Sequence, residues 1–243
     1  MERLTREQIE ELREFDAPTI CNAIEFFGLQ PWTEGYVLPG LEQRTGGKKS
    51  MIGYAATAKI IGSKQAENPG IFMDYLEYVR ESEDPTVIVM QDMDERKVAT
   101  FWGDVNASTH MSLGAVGLVT DGAVRDLKEV DEMGFYFFSS CLAVSHGYAH
   151  IEEYDCPVNI LGLDVMPGDL ICADRHGVVK IPAEIAPRLA EACRRVGTAE
   201  SYILKPCKEA INAGRKVSMS EIRQWRGMVN DKRKEAEMEY GRK

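Results

Sequence analysis

The sequence predicts an α/β domain with helical extensions at both ends, and three observations carry that reading. Two apolar runs, residues 86–90 (Thr-Val-Ile-Val-Met) and 115–120 (Ala-Val-Gly-Leu-Val-Thr), have the composition of strands buried on both faces. Each is followed by a segment with helix-start chemistry, the alternation expected of a sheet with strand–helix connections. Capping boxes stand near both termini, Thr5 with Gln8 and Ser218 with Glu221.

Ile9, Leu12 and Phe15 recur at helical spacing behind Thr5, so an N-terminal helix is expected within residues 1–15. Asp16 and Pro18 punctuate. Ile20, Ala23, Ile24 and Phe27 then form one face of a second helix, which Gly28 stops. Residues 29–49, rich in Gly, Pro and polar side chains, read as a long loop. Small and β-branched residues over 51–61 predict a strand. Asn68-Pro69-Gly70 is a turn before a short amphipathic helix over 71–80, and Pro85 leads into the strand at 86–90. Phe101-Trp102-Gly103-Asp104 ends in a helix start, with a helix over 105–114. After the strand at 115–120, Asp121-Gly122 reads as a turn that breaks it. Arg125 and Asp126 follow, then a short helix to Met133 and a strand over 135–138. Between 155 and 182, short strands alternate with tight turns at 166–169 and 174–177, the pattern of hairpins. Two or three helices close the chain. The last, over 219–240, is dense with charge and reads as a solvated or subunit-embracing arm. No repeat or linker interrupts residues 1–243, so a single domain is expected, with 213–243 as its charged helical arm.

The 243 residues are 44% hydrophobic and 28% charged, as in an ordinary globular protein. No uninterrupted apolar window is long enough for a membrane span. The first residues are charged and lack a signal-peptide pattern, so no membrane role and a cytoplasmic location are expected. A net charge of −10 lacks the basic footprint of a nucleic-acid binder. It still permits a small anionic substrate held by a local arginine. Six scattered cysteines without a Cys-x-x-Cys pair suggest neither disulfides nor structural zinc.

Nucleotide-binding glycine loops, nucleophile elbows and His-Glu-x-x-His pairs are absent. His146 and His150 stand four apart, but Gly147 between them favours a loop, which argues against a shared metal. The sharper constellation is Gly103-Asp104, followed after twenty residues by Arg125-Asp126. Both ends fall at strand-to-helix junctions, where loops converge on a ligand crevice. Helix-start N–H groups there suit a carboxylate, an arginine adds a bidentate clamp, and aspartate supplies the hard oxygen that Mg²⁺ or Mn²⁺ prefers. Taken singly, each aspartate also fits a helix cap and Arg125 a surface ion pair.

Residues 114–126 (Gly-Ala-Val-Gly-Leu-Val-Thr-Asp-Gly-Ala-Val-Arg-Asp) resemble the hallmark of a known family. It holds 4-hydroxy-4-methyl-2-oxoglutarate aldolases and RraA-like regulators of ribonuclease E. Residues 165–182 resemble its second signature, and the likeness runs over 15–212. The resemblance implies a swivelling β/β/α sandwich, assembled as a homotrimer or hexamer with active sites between neighbours. It implies that Asp126 binds the metal, Asp104 holds metal-bound water, and Arg125 contacts a pyruvate moiety whose carboxylate meets the amides of Val105 and Asn106. In the aldolases a glutamate from the adjacent subunit completes the site, and the regulators lack it. Glu200 is the candidate here, with Glu209 the second choice. The implied activity is Mg²⁺- or Mn²⁺-dependent cleavage of a 4-hydroxy-2-oxo acid to pyruvate, with oxaloacetate decarboxylation alongside. The alternative is a non-catalytic regulatory binding protein. A Schiff-base aldolase using Lys128 is the rival chemistry, and it requires that lysine to be desolvated.

Overall fold

The computed structural model describes residues 3–241. Met1, Glu2, Arg242 and Lys243, which the sequence assigns to the terminal extensions, lie outside the described residues. In chain order the first elements are α1 (Arg6–Leu12), α2 (Ala17–Glu25), β1 (Glu42–Thr45), β2 (Met51–Ile61), α3 (Ile71–Glu81), β3 (Thr86–Asp92), α4 (Asp104–Ser112), β4 (Ala115–Val124), α5 (Leu127–Met133) and β5 (Tyr136–Leu142). There follow β6 (His150–Tyr154), β7 (Val158–Ile160), β8 (Leu163–Val165), β9 (Leu170–Asp174), β10 (Gly177–Ile181), α6 (Ala186–Asn212) and α7 (Met219–Tyr240).

The main sheet runs β1-β5-β4-β3-β2-β9-β10, with β6 also on β2. Strands β2 to β5 are parallel, and β1, β9 and β10 join antiparallel at the flanks. On one edge the long β2 serves two antiparallel partners, pairing β9 through residues 51–54 and β6 through 58–61. Its apolar composition follows from cover on both faces. In β3, Ile88 and Met90 pack toward α3–α5 with Trp102 and Phe137, while Val87 and Val89 pack toward the β7–β8 hairpin. The result is a β/β/α sandwich with helices at both chain ends, as expected.

Local signals hold where they were read. Both capping boxes form, and Asp16 accepts the Thr19 N–H at the start of α2. Two expectations are corrected. The segment 29–49 is not all loop, because β1 (Glu-Gln-Arg-Thr) pairs with β5 at the sheet edge. Asp121-Gly122 does not end the strand either. The register against β5 jumps from Thr120–Ser139 to Ala123–Cys141, so the turn-prone pair is absorbed as a bulge and β4 continues to Val124.

Among the described residues two helices follow β10, within the expected two or three. Helix α7 is exposed along much of its length, but its end is anchored. Ala236 and Tyr240 are buried, the Arg188 guanidinium lies 4.8 Å from the Tyr240 ring centre, and Arg233 meets Glu25 of α2 at 2.6 Å. Among the described residues no helix is long and apolar enough to cross a membrane.

Candidate functional site

Backbone segments distant in sequence meet at the carboxyl ends of β3 and β4, and a buried threonine joins two of them. Thr100 Oγ1 donates to the Ala123 carbonyl at 2.7 Å and accepts the Trp102 N–H at 3.1 Å. The Arg125 N–H donates to the Trp102 carbonyl at 3.0 Å. These bonds lay residues 100–103 against the end of β4, so Gly103 arrives beside Arg125 and Asp126.

Gly103 itself is extended (φ −149°), a conformation open to any residue. Space is what requires glycine there: a Cβ would stand 2.2 Å from Asp126 Oδ2 and 3.2 Å from Arg125 Nε. Asp126 occupies the left-handed region (φ 57°, ψ 40°), which aspartate tolerates better than most residues. It precedes α5, yet its side chain caps no amide of that helix. Instead Oδ2 lies 3.3 Å from both the Asp104 N–H and Arg125 Nε. The simple capping role that Asp126 also fitted is thereby set aside.

Asp104 opens α4, and its Oδ1 accepts the Val105 N–H at 2.8 Å. The Asn106 N–H, in the first turn, has no acceptor within the helix. The Asn106 side chain donates back to the Phe101 carbonyl and steadies the helix start. His110 anchors α4 from below. Burial pushes its pKa down to about 4, so near neutral pH its Nδ1–H donates to the Asn106 carbonyl (2.6 Å) and Nε2 accepts from Tyr75 (2.9 Å). Nearby, burial raises the carboxyls of Asp92 and Asp121, and Lys97, 3.9 and 3.6 Å away, offsets part of that effect.

Arg125 forms the wall between two open cavities. One, of ≈ 480 Å³, is lined by Phe72, Phe101, Asp104, Asn106, His146 and His150 among others; the second, of ≈ 730 Å³, is lined by Asp126, Val98 and Leu142. The guanidinium reaches from Asp126 to the Val144 carbonyl at 3.2 Å. Asp104, Val105, Asn106, Arg125 and Asp126 are thus brought together. Glu200 and Glu209 are not: they sit on α6, which packs on α1, α2 and α7, and neither lines these cavities in one chain. Lys128 is 82% exposed, the opposite of the desolvation a Schiff-base lysine needs. Among the described residues no cluster of three His, Cys, Asp or Glu side chains converges as a metal cage. Sequence reasoning missed Thr100 and the placement of both histidines on the cavity wall. The one available sign was Gly147 in Ser-His-Gly-Tyr-Ala-His, which pointed to a loop and not to its destination.

Two carboxylates, a guanidinium braced by the Val144 carbonyl and the first turn of α4 are gathered at one place. Known proteins resemble the chain at this point and beyond. The family model described as RraA-like, Aldolase/RraA, matches residues 17–180. An uncharacterized protein of Methanocaldococcus jannaschii is 27% identical over 194 residues, which is 79% of this chain and 85% of that one. A 4-hydroxy-4-methyl-2-oxoglutarate aldolase of Thermus thermophilus is 27% identical over 154 residues, covering 62% and 87%. The crystal structure of Streptomyces coelicolor RraAS2, an unusual member of the RNase ES inhibitor RraA protein family, is similar with a TM-score of 0.66. It is 23% identical and covers 83% of this chain and 98% of its own, a likeness that concerns the fold alone.

Proposed function

The chain belongs to the RraA-like family, and from that premise we propose that it is a divalent-metal-dependent carbon–carbon lyase. It cleaves a 4-hydroxy-2-oxo acid to pyruvate, with oxaloacetate decarboxylation as a second activity. The observation that carries the reading is Asp126. Held in the left-handed region, its carboxylate is turned off its own helix and onto Asp104 and Arg125. The similarity to an aldolase of Thermus thermophilus supports the reaction class.

Asp126 would hold Mg²⁺ or Mn²⁺, with Asp104 holding water beside it. The donor set suits such an ion: carboxylate oxygens, one-third exposed at Asp126, with no all-protein cage among the described residues. Bound there, the ion supplies Lewis-acid stabilisation of charge developing on a substrate oxygen.

The chain's own groups do the rest. The substrate carboxylate takes the position of Asp104 Oδ1 on the Val105 N–H and adds the Asn106 N–H, at the positive end of α4. Arg125, braced by Val144 and Asp126, orients the 2-oxo acid and stabilises the enolate oxygen as the C3–C4 bond breaks. Phe72 and Phe101 keep water from one side of the cavity. Glu200 of the partner subunit, or Glu209 in its place, closes the site in a homotrimer or hexamer. The setting proposed is cytoplasmic.

The test is a panel of 4-hydroxy-2-oxo acids and oxaloacetate, incubated with purified protein and Mg²⁺, with pyruvate release coupled to NADH consumption. Release that EDTA abolishes and Mg²⁺ restores is expected. Silence across the panel from intact oligomers sinks the lyase reading and leaves the regulatory one. Borohydride trapping of pyruvate on a lysine would replace the metal route by a Schiff base.

A further inference from the structure

We propose that His146 is a catalytic residue of this site, whose Nε2 takes the proton from the substrate's C4 hydroxyl. The inference rests on the lyase reading above and adds to it a proton carrier from the chain itself.

His146 lines the same ≈ 480 Å³ cavity as Arg125, Asp104 and Asn106, although it comes from a loop between β5 and β6. That loop is tied on both sides of the histidine. The Thr100 N–H donates to the Ser145 carbonyl at 2.9 Å, and the Tyr148 N–H donates to the Gly62 carbonyl at 3.0 Å. Two residues before His146, the Val144 carbonyl accepts from Arg125. One residue after it, Gly147 is left-handed (φ +48°), and a Cβ there would stand 2.7 Å from that of Ala99. The platform is therefore fixed against Arg125 and the segment that leads into Gly103. Thr100 serves both, holding Ser145 through its N–H and Ala123 through its hydroxyl.

Hydrogen bonding singles out His146 among the four histidines. In His110 both ring nitrogens are engaged, by Asn106 and Tyr75, and the ring is buried. In His150, Nδ1 meets the Tyr148 carbonyl at 2.8 Å and Nε2 meets Glu152 at 3.3 Å. His176 sits at the β9–β10 turn against Asp174, and it lines neither cavity at Arg125. In His146, among the described residues, only Nδ1 is engaged, at 2.9 Å from the Gly147 carbonyl. A carbonyl can only accept, so Nδ1 carries the hydrogen and Nε2 keeps the lone pair in the neutral ring. An imidazole with a free Nε2 on the wall of a cavity is a proton acceptor of the right kind.

The step balances without a further reagent. His146 Nε2 takes the hydroxyl proton, the C4–O bond becomes a carbonyl, and the C3–C4 bond breaks. Its electron pair passes into the enolate of pyruvate. The imidazolium then returns its proton to C3, which gives the methyl group and restores the neutral ring.

The experiment compares two reactions in the same variants, His146→Gln and His146→Ala. Oxaloacetate loses carbon dioxide without surrendering a hydroxyl proton, so its cleavage does not need this base. Aldol cleavage is expected to fall by about 10²- to 10⁴-fold in both variants, and oxaloacetate decarboxylation, which loses only a C3 proton donor that water can replace, to fall by much less. Added imidazole is expected to restore part of the aldol cleavage in His146→Ala. Wild-type aldol cleavage in His146→Gln overturns the proposal. So does equal loss of both reactions without rescue by imidazole, which marks His146 as structural. If the wild-type protein releases pyruvate from neither substrate, the lyase reading has failed, and the role of His146 falls with it.

Discussion

Replacing Gly103 with alanine adds one methyl group where Asp126 and Arg125 come closest to the backbone. The new Cβ would stand 2.2 Å from Asp126 Oδ2, so the carboxylate must retreat by about 1 Å to reach ordinary contact. That movement breaks its hydrogen bond to the Asp104 N–H, already at 3.3 Å, and turns the proposed metal ligand away from the head of α4. A displacement of this size at a reacting centre typically costs about a hundredfold in rate, or roughly 3 kcal/mol of transition-state stabilisation. The fold should hardly respond. The backbone angles of Gly103 suit alanine, and loss of a glycine lowers unfolded-state entropy by an amount worth roughly 0.4–1 kcal/mol. The assay is Mg²⁺-dependent pyruvate release, with calorimetric Mn²⁺ titration and thermal unfolding alongside. A turnover at least tenfold below wild type and weaker Mn²⁺ binding, with Tm little changed, is expected. Wild-type turnover and wild-type Mn²⁺ affinity would refute the reasoning that this carboxylate's position is what the reaction depends on.

Three further outcomes follow from the same geometry. Asp126→Asn keeps a residue that tolerates the left-handed region, so Tm should hold while Mg²⁺-dependent turnover falls about a hundredfold or more; undiminished turnover removes Asp126 from its proposed role. Thr100→Val deletes a buried hydroxyl that donates to Ala123 and accepts from Trp102. It should cost about 1–3 kcal/mol in urea unfolding, and an unchanged midpoint with unchanged slope contradicts the junction described. His110 sets a pH dependence. Its folded pKa, about 4, lies below the ordinary 6.5, so above pH 6.5 both folded and unfolded forms are neutral and nothing is lost. As pH falls from 6.5 toward 4 the unfolded chain takes a proton that the folded chain refuses, and stability drops by about 3 kcal/mol in all. Urea unfolding of wild type and His110→Gln at pH 7 and pH 4.5 checks this: the fall should be smaller in the variant, and equal falls exclude His110 as the cause.

Much of the fold was readable because its signals are local. Thr5 with Gln8 and Ser218 with Glu221 act within one helical turn, and the apolar run of β3 marks burial on both faces wherever the strand is placed. Where the reading missed, a distant partner decided. β1 is four residues of ordinary composition whose strand character comes from hydrogen bonds to β5. Asp121-Gly122 has turn chemistry, but β5 continues alongside and the pair becomes a bulge. Ala236 and Tyr240 lie in a charged helix and are buried only because α7 returns to the body of the chain.

For the candidate site the division is the same. By itself the sequence determined the residue types and their spacing: an aspartate at one helix start, an arginine–aspartate pair twenty residues later, and glycine between strand and helix. Those follow from backbone hydrogen bonding and side-chain chemistry over a few residues. Only the tertiary structure decided that Asp126 turns toward Asp104, that Gly103 must lack a Cβ, and that His146 shares a wall with Arg125. Bonds such as Thr100 to Ala123 and Tyr148 to Gly62 join segments remote in sequence. They become favourable only when the packed core has already met the entropic cost of closing those loops, and no run of neighbouring residues encodes that closure.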